Sequence, residues 1–166
     1  TTGGLWRYLI GDTIQFTSLN PYKIKVSGRL KHYMNAFGEE IIVDNSDKAI
    51  AIAAEKTQAI VTDYTAAPVF FSDNNNGAHE WLVEFEKEPA DMARFTATVD
   101  QNLRSKNVYY DDLISGHILE TLHIRKVRRN GFIDYMRSIG KLGGQNKVPR
   151  LSNDRDIAEG LEGFLS

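Results

Sequence analysis

The stretch that decides the fold is AIVTDYTAAPVFFSDNNNGAHEWLVEFEK, residues 59–87. Its first part, residues 59–71, is rich in β-branched and aromatic residues, and its last part alternates apolar with acidic residues. The intervening SDNNNGA has the composition of a loop and contains an Asn-Gly pair. The pattern predicts two paired strands, the second with one buried face and a solvated face that carries Glu80, Glu84 and Glu86. The buried face is expected to carry Trp81, Val83 and Phe85.

Shorter elements precede this pair of strands. Two alternating runs, TIQFTSL (13–19) and YKIKVS (22–27), flank the turn signal Asn20–Pro21 and predict a hairpin with one wet face. A strand–turn–strand is expected around Gly38. An alanine-rich run then predicts a helix from about Asp47 to Ala59. The candidate N-caps of that helix are Asp44, Asn45 and Ser46.

Helical spacing dominates the part of the chain that follows the two strands. Residues 90–106 repeat apolar side chains every 3.6 residues or so and predict a helix, and Asn107 is the expected cap of a shorter one. A strand over 120–128 and a helix over 130–140 follow, and Ser152 is the predicted cap of a last helix. The inward face of the 130–140 helix is expected to carry Phe132, Ile133, Met136 and Ile139.

The order of these elements predicts an α+β fold, a small mixed or antiparallel β-sheet with helices packed on it. The 166 residues are 42% hydrophobic and 25% charged, which is typical of one globular domain. A formal charge of -2 gives no electrostatic case for nucleic acid or for an anionic membrane. The absence of cysteine excludes disulfides and thiolate sites and fits a reducing, cytoplasmic compartment. No apolar run approaches the roughly 18 residues of a membrane span.

Several common catalytic motifs are missing from the sequence. No two histidines have metal-ligand spacing, so no metal site is predicted. There is no Gly-x-Ser-x-Gly for a serine hydrolase and no Gly-Lys-Ser/Thr for a phosphate loop of the Walker type. The four histidines are His32, His79, His117 and His123.

Three short segments carry candidate site residues. The segment YLIGD ends in Asp12, and an aspartate at a strand junction can accept hydrogen bonds from two vicinal hydroxyls. The segment SGRLKH places Arg29 and Lys31 after a flexible glycine. The segment KLGGQNKVPR carries Lys147 on a glycine-rich loop, where an ammonium can neutralise charge that appears only in a transition state. Taken singly, each segment is explained as well by turn chemistry or by a solvated charge.

Taken together, the order and spacing of these segments resemble the adenylate-forming superfamily. TTGGLWRYLIGD, GRLKHYMNAFGEE and GGQNKVPR are similar to bacterial members of the auxin-responsive-promoter family of acyl-acid amido synthetases, and the resemblance covers nearly all of the chain. It implies the C-terminal lid domain of such an enzyme. Residues 1–28 would be the last strands of a large N-terminal domain with the hinge, and residues 29–166 the lid. The start at Thr1, without Met, is expected to be an interior point of a longer protein.

The resemblance implies roles for five residues. Asp12 would bind the ribose hydroxyls of ATP, and Tyr8 would line the nucleotide site. Arg29 would contact ribose or phosphate, and Lys31 would lie at the hinge, where the superfamily often has an aspartate. Lys147 would be the catalytic residue, at the α-phosphate. The sequence lacks the superfamily's late Pro-Lys-Thr-x-x-Gly-Lys motif, so the role of Lys147 depends on the narrower family.

The resemblance also implies a two-step reaction. ATP with Mg²⁺ would activate a carboxylic acid as an acyl-adenylate and release pyrophosphate. The small domain would then rotate, and an amine such as an amino acid would take the acyl group and release AMP. The phosphate-binding loop and acyl pocket of such enzymes lie in the large N-terminal domain, which is therefore an expected partner. We expect the chain by itself to be inactive.

Two other functions stay open at the level of sequence. One is an acyl-CoA ligase on the same scaffold, in which a thiol replaces the amine. The other is a non-catalytic α+β interaction domain, in which the three segments are only turns. A nucleic-acid module is less favoured, because the basic run HIRKVRR (123–129) has no interleaved aromatic residues.

Overall fold

The computed structural model describes residue 4 and residues 12–29, 33–72, 76–143 and 146–166. The strands are β1 (Asp12–Leu19), β2 (Tyr22–Arg29), β3 (Tyr33–Met34), β4 (Ile41–Ile42), β5 (Ile60–Val69), β6 (Ala78–Lys87) and β7 (His123–Val127). The helices are α1 (Val43–Thr57), α2 (Met92–Lys106), α3 (Val108–Ser115), α4 (Gly131–Ser138), α5 (Asp156–Gly160) and a 3₁₀ turn at Glu162–Phe164. Among the described residues, no helix is long and apolar enough to cross a bilayer.

The central sheet has the strand order β5-β6-β7. β5 and β6 are antiparallel, as the sequence predicts, with Ala66 opposite Trp81. β6 and β7 are parallel, and the connection between them contains α2 and α3. Leu151 forms a parallel bridge to Ala66 on the outer side of β5. The predicted α+β class with a small mixed sheet is confirmed.

β6 is buried on both faces from Ala78 to Phe85, so the predicted solvated face is wrong for Glu80 and Glu84, whereas Glu86 is exposed as predicted. Trp81, Val83 and Phe85 face the larger core beneath α1 and α2. Leu82 belongs to a second core with residues of α4 and α5. Because helices cover both sides of this part of β6, Glu80 and Glu84 are buried and need polar partners within the protein.

Two acidic residues of β6 are paired in this second layer. Glu80 accepts from Arg155 at 2.8 Å and from Arg125 at 3.3 Å. Glu84 accepts from the backbone N–H of Asn130 at 2.8 Å and of Phe132 at 3.3 Å, at the start of α4. A carboxylate at a helix N-terminus satisfies amides that have no partner within the helix. Glu84 therefore attaches α4 to the sheet.

The predicted helices differ from the observed ones mainly at their ends. α2 and α3 occur as predicted, and the Asn107 side chain accepts from the N–H of Tyr110. α1 begins at Val43, directly after β4 and before all three candidate caps, and it has no side-chain N-cap. Ser152 does not cap α5, which begins after Arg155. In α4, Phe132 is buried as predicted, but its predicted inward neighbours Ile133 and Ile139 are largely exposed.

The predicted hairpin of β1 and β2 forms, with Asn20–Pro21 at its turn. Ile14 lies opposite Val26, and Phe16 lies opposite Ile24. These four apolar side chains share one face and are each 51–66% exposed. A two-stranded hairpin with an uncovered apolar face is marginal in water. The predicted buried face is therefore not covered by the described part of this chain.

A buried Glu39–His79 hydrogen-bonded pair lies at the edge of the larger core. Glu39 and His79 are both fully buried, and His79 Nε2 lies 3.0 Å from Glu39 Oε1. The backbone N–H of Phe37 donates to the other carboxylate oxygen at 2.7 Å. The imidazole of His79 stacks on Tyr110 with ring centroids 5.1 Å apart. The pair thus connects the loop before β4 to the central strand and to α3.

The environment of Glu39 favours its charged form. Burial, the largest influence, raises the pKa of Glu39, but the hydrogen bond and charge of His79, with backbone N–H groups, outweigh it. The pKa of Glu39 is therefore lower than its ordinary value. A lowered carboxyl pKa adds stability above the unfolded pKa, and that stability is lost as the pH falls through the folded pKa.

Replacing Glu39 by glutamine is expected to lower the free energy of unfolding at neutral pH by on the order of 1–3 kcal/mol, because buried His79 loses a charged acceptor. The difference in free energy of unfolding between wild type and variant should be fully present above the ordinary carboxyl pKa of 4.5 and should decrease at lower pH. Urea unfolding of both proteins across the acidic range measures the difference.

Glu88→Gln is the control for this change. Glu88 forms an exposed ion pair with Lys126 at 3.0 Å. Its replacement should change the free energy of unfolding by less than about 1 kcal/mol. A Glu39→Gln deficit that stays constant from neutral to acidic pH would contradict the assignment.

Candidate functional site

The loop after α4 borders a cleft of about 460 Å³ against the outer part of β5. Its lining includes the apolar side chains of Ile133 and Leu142 and the positive side chains of Lys141, Lys147 and Arg150. Among the described residues that line it, Asp63 of β5 is the one carboxylate.

The C-terminal end of this loop is held on β5 by backbone hydrogen bonds. The N–H of Ala66 donates to the carbonyl of Arg150, and the N–H of Ser152 donates to the carbonyl of Ala66, both at 2.9 Å. The buried hydroxyl of Thr65 donates to the carbonyl of Pro149 at 2.7 Å. Residues 149–152 therefore act as a short parallel strand at the edge of the sheet.

The side chain of Arg150 adds three further contacts. Its guanidinium forms an ion pair and hydrogen bond with Asp63, and its Nη1 donates to the carbonyl of Tyr64 at 3.1 Å. The guanidinium carbon lies 4.6 Å from the centre of the Tyr64 ring, a cation–π distance. An arginine that combines an ion pair, a carbonyl bond and ring stacking is restricted in orientation.

Tyr64 connects this arginine to the start of α1. The Tyr64 hydroxyl donates to Asp47 at 2.6 Å and lies 2.9 Å from the hydroxyl oxygen of Ser46. Burial, and then the hydrogen bond to Asp47, raise the pKa of Tyr64 well above its ordinary value. Tyr64 therefore stays a neutral donor, and its ring remains a fixed platform for Arg150.

The N-terminal end of the loop is also attached. The N–H of Lys141 donates to the carbonyl of Met136 at 2.9 Å, which closes the C-terminus of α4. Val148 is buried in the second core with Phe132 and Met136. Lys147 is exposed and immediately precedes this buried valine. An anchored segment therefore places the exposed lysine in the lining of the cleft.

The electrostatics of the cleft favour an anion. Asp63 is engaged by Arg150, so it does not offset the charges of Lys147 and Lys141 in the same lining. Apolar Ile133 and Leu142 belong to the same lining. An exposed ammonium near apolar side chains can neutralise charge on a ligand whose other parts are apolar.

The other predicted site residues lie elsewhere. Asp12 and Arg29 are directly opposite each other in the register of β1 and β2, at the open end of the hairpin. The backbone pairing thus brings together two of the residues that the resemblance places at the nucleotide. Tyr8 and Lys31 lie outside the described residues.

The described residues offer no metal site. Within residue 4 and residues 12–29, 33–72, 76–143 and 146–166, no group of three or more His, Asp or Glu side chains could hold a metal ion. These residues provide no ligand set for the Mg²⁺ that the resemblance implies, and we derive no step that uses it.

The comparisons with known proteins decide the family. A model described as the GH3 family C-terminal domain matches residues 44–156, which is more than half of the chain. The chain belongs to the GH3 family.

Two solved structures have the same fold. The GH3.15 acyl acid amido synthetase matches with a TM-score of 0.79 and 22% identity, and covers 100% of this chain. The AtGH3.15 acyl acid amido synthetase in complex with 2,4-DB matches with a TM-score of 0.75 and 21% identity, again over 100% of this chain. This chain spans about a third of their length, 32% of each. A search of curated protein sequences found no match.

The matches confirm part of what the sequence predicts. The chain contains a GH3 family C-terminal domain, and its α+β fold matches part of a solved acyl acid amido synthetase. The similarity at this level of identity concerns the fold. The roles of the individual residues remain predictions.

Sequence reasoning missed the residues that hold the loop. Asp63, Tyr64 and Thr65 lie in a strand whose composition identified it only as β-structure. Arg150 belongs to the same short motif as Lys147 and follows it by three residues, which is the one signal that could have been used. Ile133 is predicted to face inward with Phe132 and Met136, but it is 46% exposed and lines the cleft.

Replacing Thr65 by valine is expected to loosen the loop of this GH3 domain. The change removes the hydroxyl that donates to Pro149 while keeping the shape of the side chain. We expect a loss of about 1 kcal/mol in the free energy of unfolding and faster hydrogen exchange at the N–H of Ser152.

Thr96→Val is the matched control, because the Thr96 hydroxyl bonds to the carbonyl of Met92 within α2. It should cost similar stability without changing exchange at Ser152. Equal protection of Ser152 in Thr65→Val and wild type would count against the anchoring role.

Proposed function

We propose that this chain is the lid domain of an ATP-dependent acyl-acid amido synthetase, which activates a carboxylic acid as its adenylate and transfers the acyl group to an amine. The observation that carries the proposal is Lys147, exposed on an anchored loop at a cleft in which Asp63, the one carboxylate among the described lining residues, is paired with Arg150. Membership of the GH3 family and the fold of an acyl acid amido synthetase agree with it.

The chemical role proposed for Lys147 follows from the charge change in the first step. The acid carboxylate attacks the α-phosphorus of ATP, and pyrophosphate leaves. Negative charge grows on the phosphoryl oxygens in the transition state, and an ammonium placed beside them stabilises that state more than the ground state. The second step, attack of an amine on the acyl carbon, does not need this charge.

The division of the chain is part of the proposal. Residues 1–28 would be the last strands of the large N-terminal domain with the hinge, and residues 29–166 the lid. Asp12 and Arg29, opposite each other in the hairpin, would bind the ribose and phosphate of ATP. Tyr8 in the nucleotide site and Lys31 at the hinge complete the assignment.

The exposed hairpin supports this division. Its four apolar side chains share one face, and no described element of the lid covers them. Such a face is expected to be buried in a larger sheet. A bacterial source and a cytoplasmic location stay predictions of the sequence.

Lys147→Ala in the intact protein is expected to lower carboxylate-dependent pyrophosphate release by about 100-fold or more. The assay uses a panel of small aromatic and aliphatic acids with ATP. Lys48→Ala, an exposed lysine of α1 paired with Asp44, is the control and should retain wild-type activity. Equal release by wild type and Lys147→Ala would make Lys147 an ordinary surface residue.

The products of the same assay separate the competing functions. An amide after addition of amino acids supports the synthetase, whereas a thioester after addition of coenzyme A supports an acyl-CoA ligase. No pyrophosphate with any acid would favour a non-catalytic interaction domain. ATP turnover by the 166-residue chain alone would contradict its assignment as a lid.

A second experiment tests the domain division through the hairpin. The amides of Phe16 and Ile24 should exchange rapidly in the isolated chain and at least about 100-fold more slowly in the intact protein, because a large domain would cover the strands. The amides of Val83 in β6 serve as an internal reference and should be protected in both. Fast exchange of the hairpin in the intact protein would assign it to an exposed arm.

A further inference from the structure

Arg150 forms several contacts with β5 at the same time. Its guanidinium engages Asp63, the carbonyl of Tyr64 and the face of the Tyr64 ring, and its backbone carbonyl accepts from Ala66. Its Nε lies 3.8 Å from Asp47 at the start of α1. These contacts restrain both the side chain and the backbone of Arg150.

This fixed point lies close to Lys147 along the chain. Three residues of extended backbone span at most about 11 Å. Between them, Val148 is buried in the second core and the carbonyl of Pro149 accepts from Thr65. The position of the Lys147 backbone is therefore largely set by the attachment of Arg150 to β5.

We propose that Arg150 is a positioning residue for Lys147: by locking the 149–152 segment to β5, it fixes where the ammonium enters the adenylation site. The inference rests on the proposed function, because it assigns Arg150 to the same reaction step. Arg150 itself does not contact the substrate in this scheme, since its guanidinium is used by Asp63 and Tyr64.

The chemistry of the side chain explains why an arginine suits this position. The planar guanidinium can bond a carboxylate, donate to a carbonyl and stack on a ring at the same time. A lysine could keep the charge pair with Asp63 but would lose the stacking and the defined orientation. Small displacements matter here, because a shift of about 1 Å in a catalytic group can cost on the order of 100-fold in rate.

The test is a double-mutant cycle in the intact protein, with carboxylate-dependent pyrophosphate release as the readout. Arg150→Ala should lower release by about 10- to 100-fold, and Arg150→Lys should recover only part of that loss. In a Lys147→Ala background, Arg150→Ala should lower pyrophosphate release by less than about a further threefold, because the ammonium that Arg150 positions is absent. Transfer of the acyl group from preformed acyl-adenylate to an amine should change by less than about threefold in all variants.

Arg155→Ala is the matched control. Arg155 also ties the C-terminal segment to the sheet, donating to the carbonyl of Pro68 at 2.9 Å and to Glu80 at 2.8 Å. It lies beyond the anchored segment, so its loss should lower stability without lowering pyrophosphate release in the folded fraction. Hydrogen exchange over residues 146–149 should become faster in Arg150→Ala and stay unchanged in Arg155→Ala.

Several results would overturn the proposal. Losses that multiply in the double variant would mean that Arg150 acts independently of Lys147, and an equal loss in Arg155→Ala would mean a general effect on folding. If Lys147→Ala keeps full activity, the proposed function of the lysine fails. In that case hydrogen exchange is the remaining test of whether Arg150 positions the loop. Unchanged exchange over residues 146–149 in Arg150→Ala would contradict the positioning role.

Discussion

The structure depends on the burial of β6 on both of its faces. Apolar side chains of one face pack under α1 and α2, and the other face supports α4 and α5. That second face carries Glu80 and Glu84, and a buried carboxylate is tolerated only when it is paired. Glu80 is paired with arginines and Glu84 with the first amides of α4. The acidic residues of the central strand thus determine where the second layer of helices attaches.

The placement of the candidate catalytic loop follows from this arrangement. α4 is attached through Glu84, its buried residues share a core with Val148, and the loop between them passes beside β5. The segment after Lys147 then joins the sheet edge through backbone bonds, Thr65 and Arg150. An exposed lysine on such a support combines a freely hydrated charge with a fixed backbone. That combination suits a group that must enter a site formed elsewhere and act at one position.

The strength of the local signals explains which elements could be predicted. The α2 stripe, the Asn107 cap and the pairing of β5 with β6 follow from period and turn chemistry, and all three are present. The start of α1 was missed because it follows β4 without a capping side chain. The solvated face predicted for β6 is wrong at Glu80 and Glu84, because alternation shows which residues are polar and not what packs against them.

The sequence by itself determined the fold class, the main elements and, through its motifs, the family and the candidate lysine. These features follow from hydrophobic periodicity, capping residues and motif spacing, which involve residues close together in the sequence. Only the tertiary structure decided that Arg150 holds the loop through Asp63 and Tyr64, because residues 87 and 86 positions apart meet only after β5 is in place. The same holds for the buried acids of β6. Partners supplied from distant segments leave no local pattern, so their geometry appears only in the folded chain.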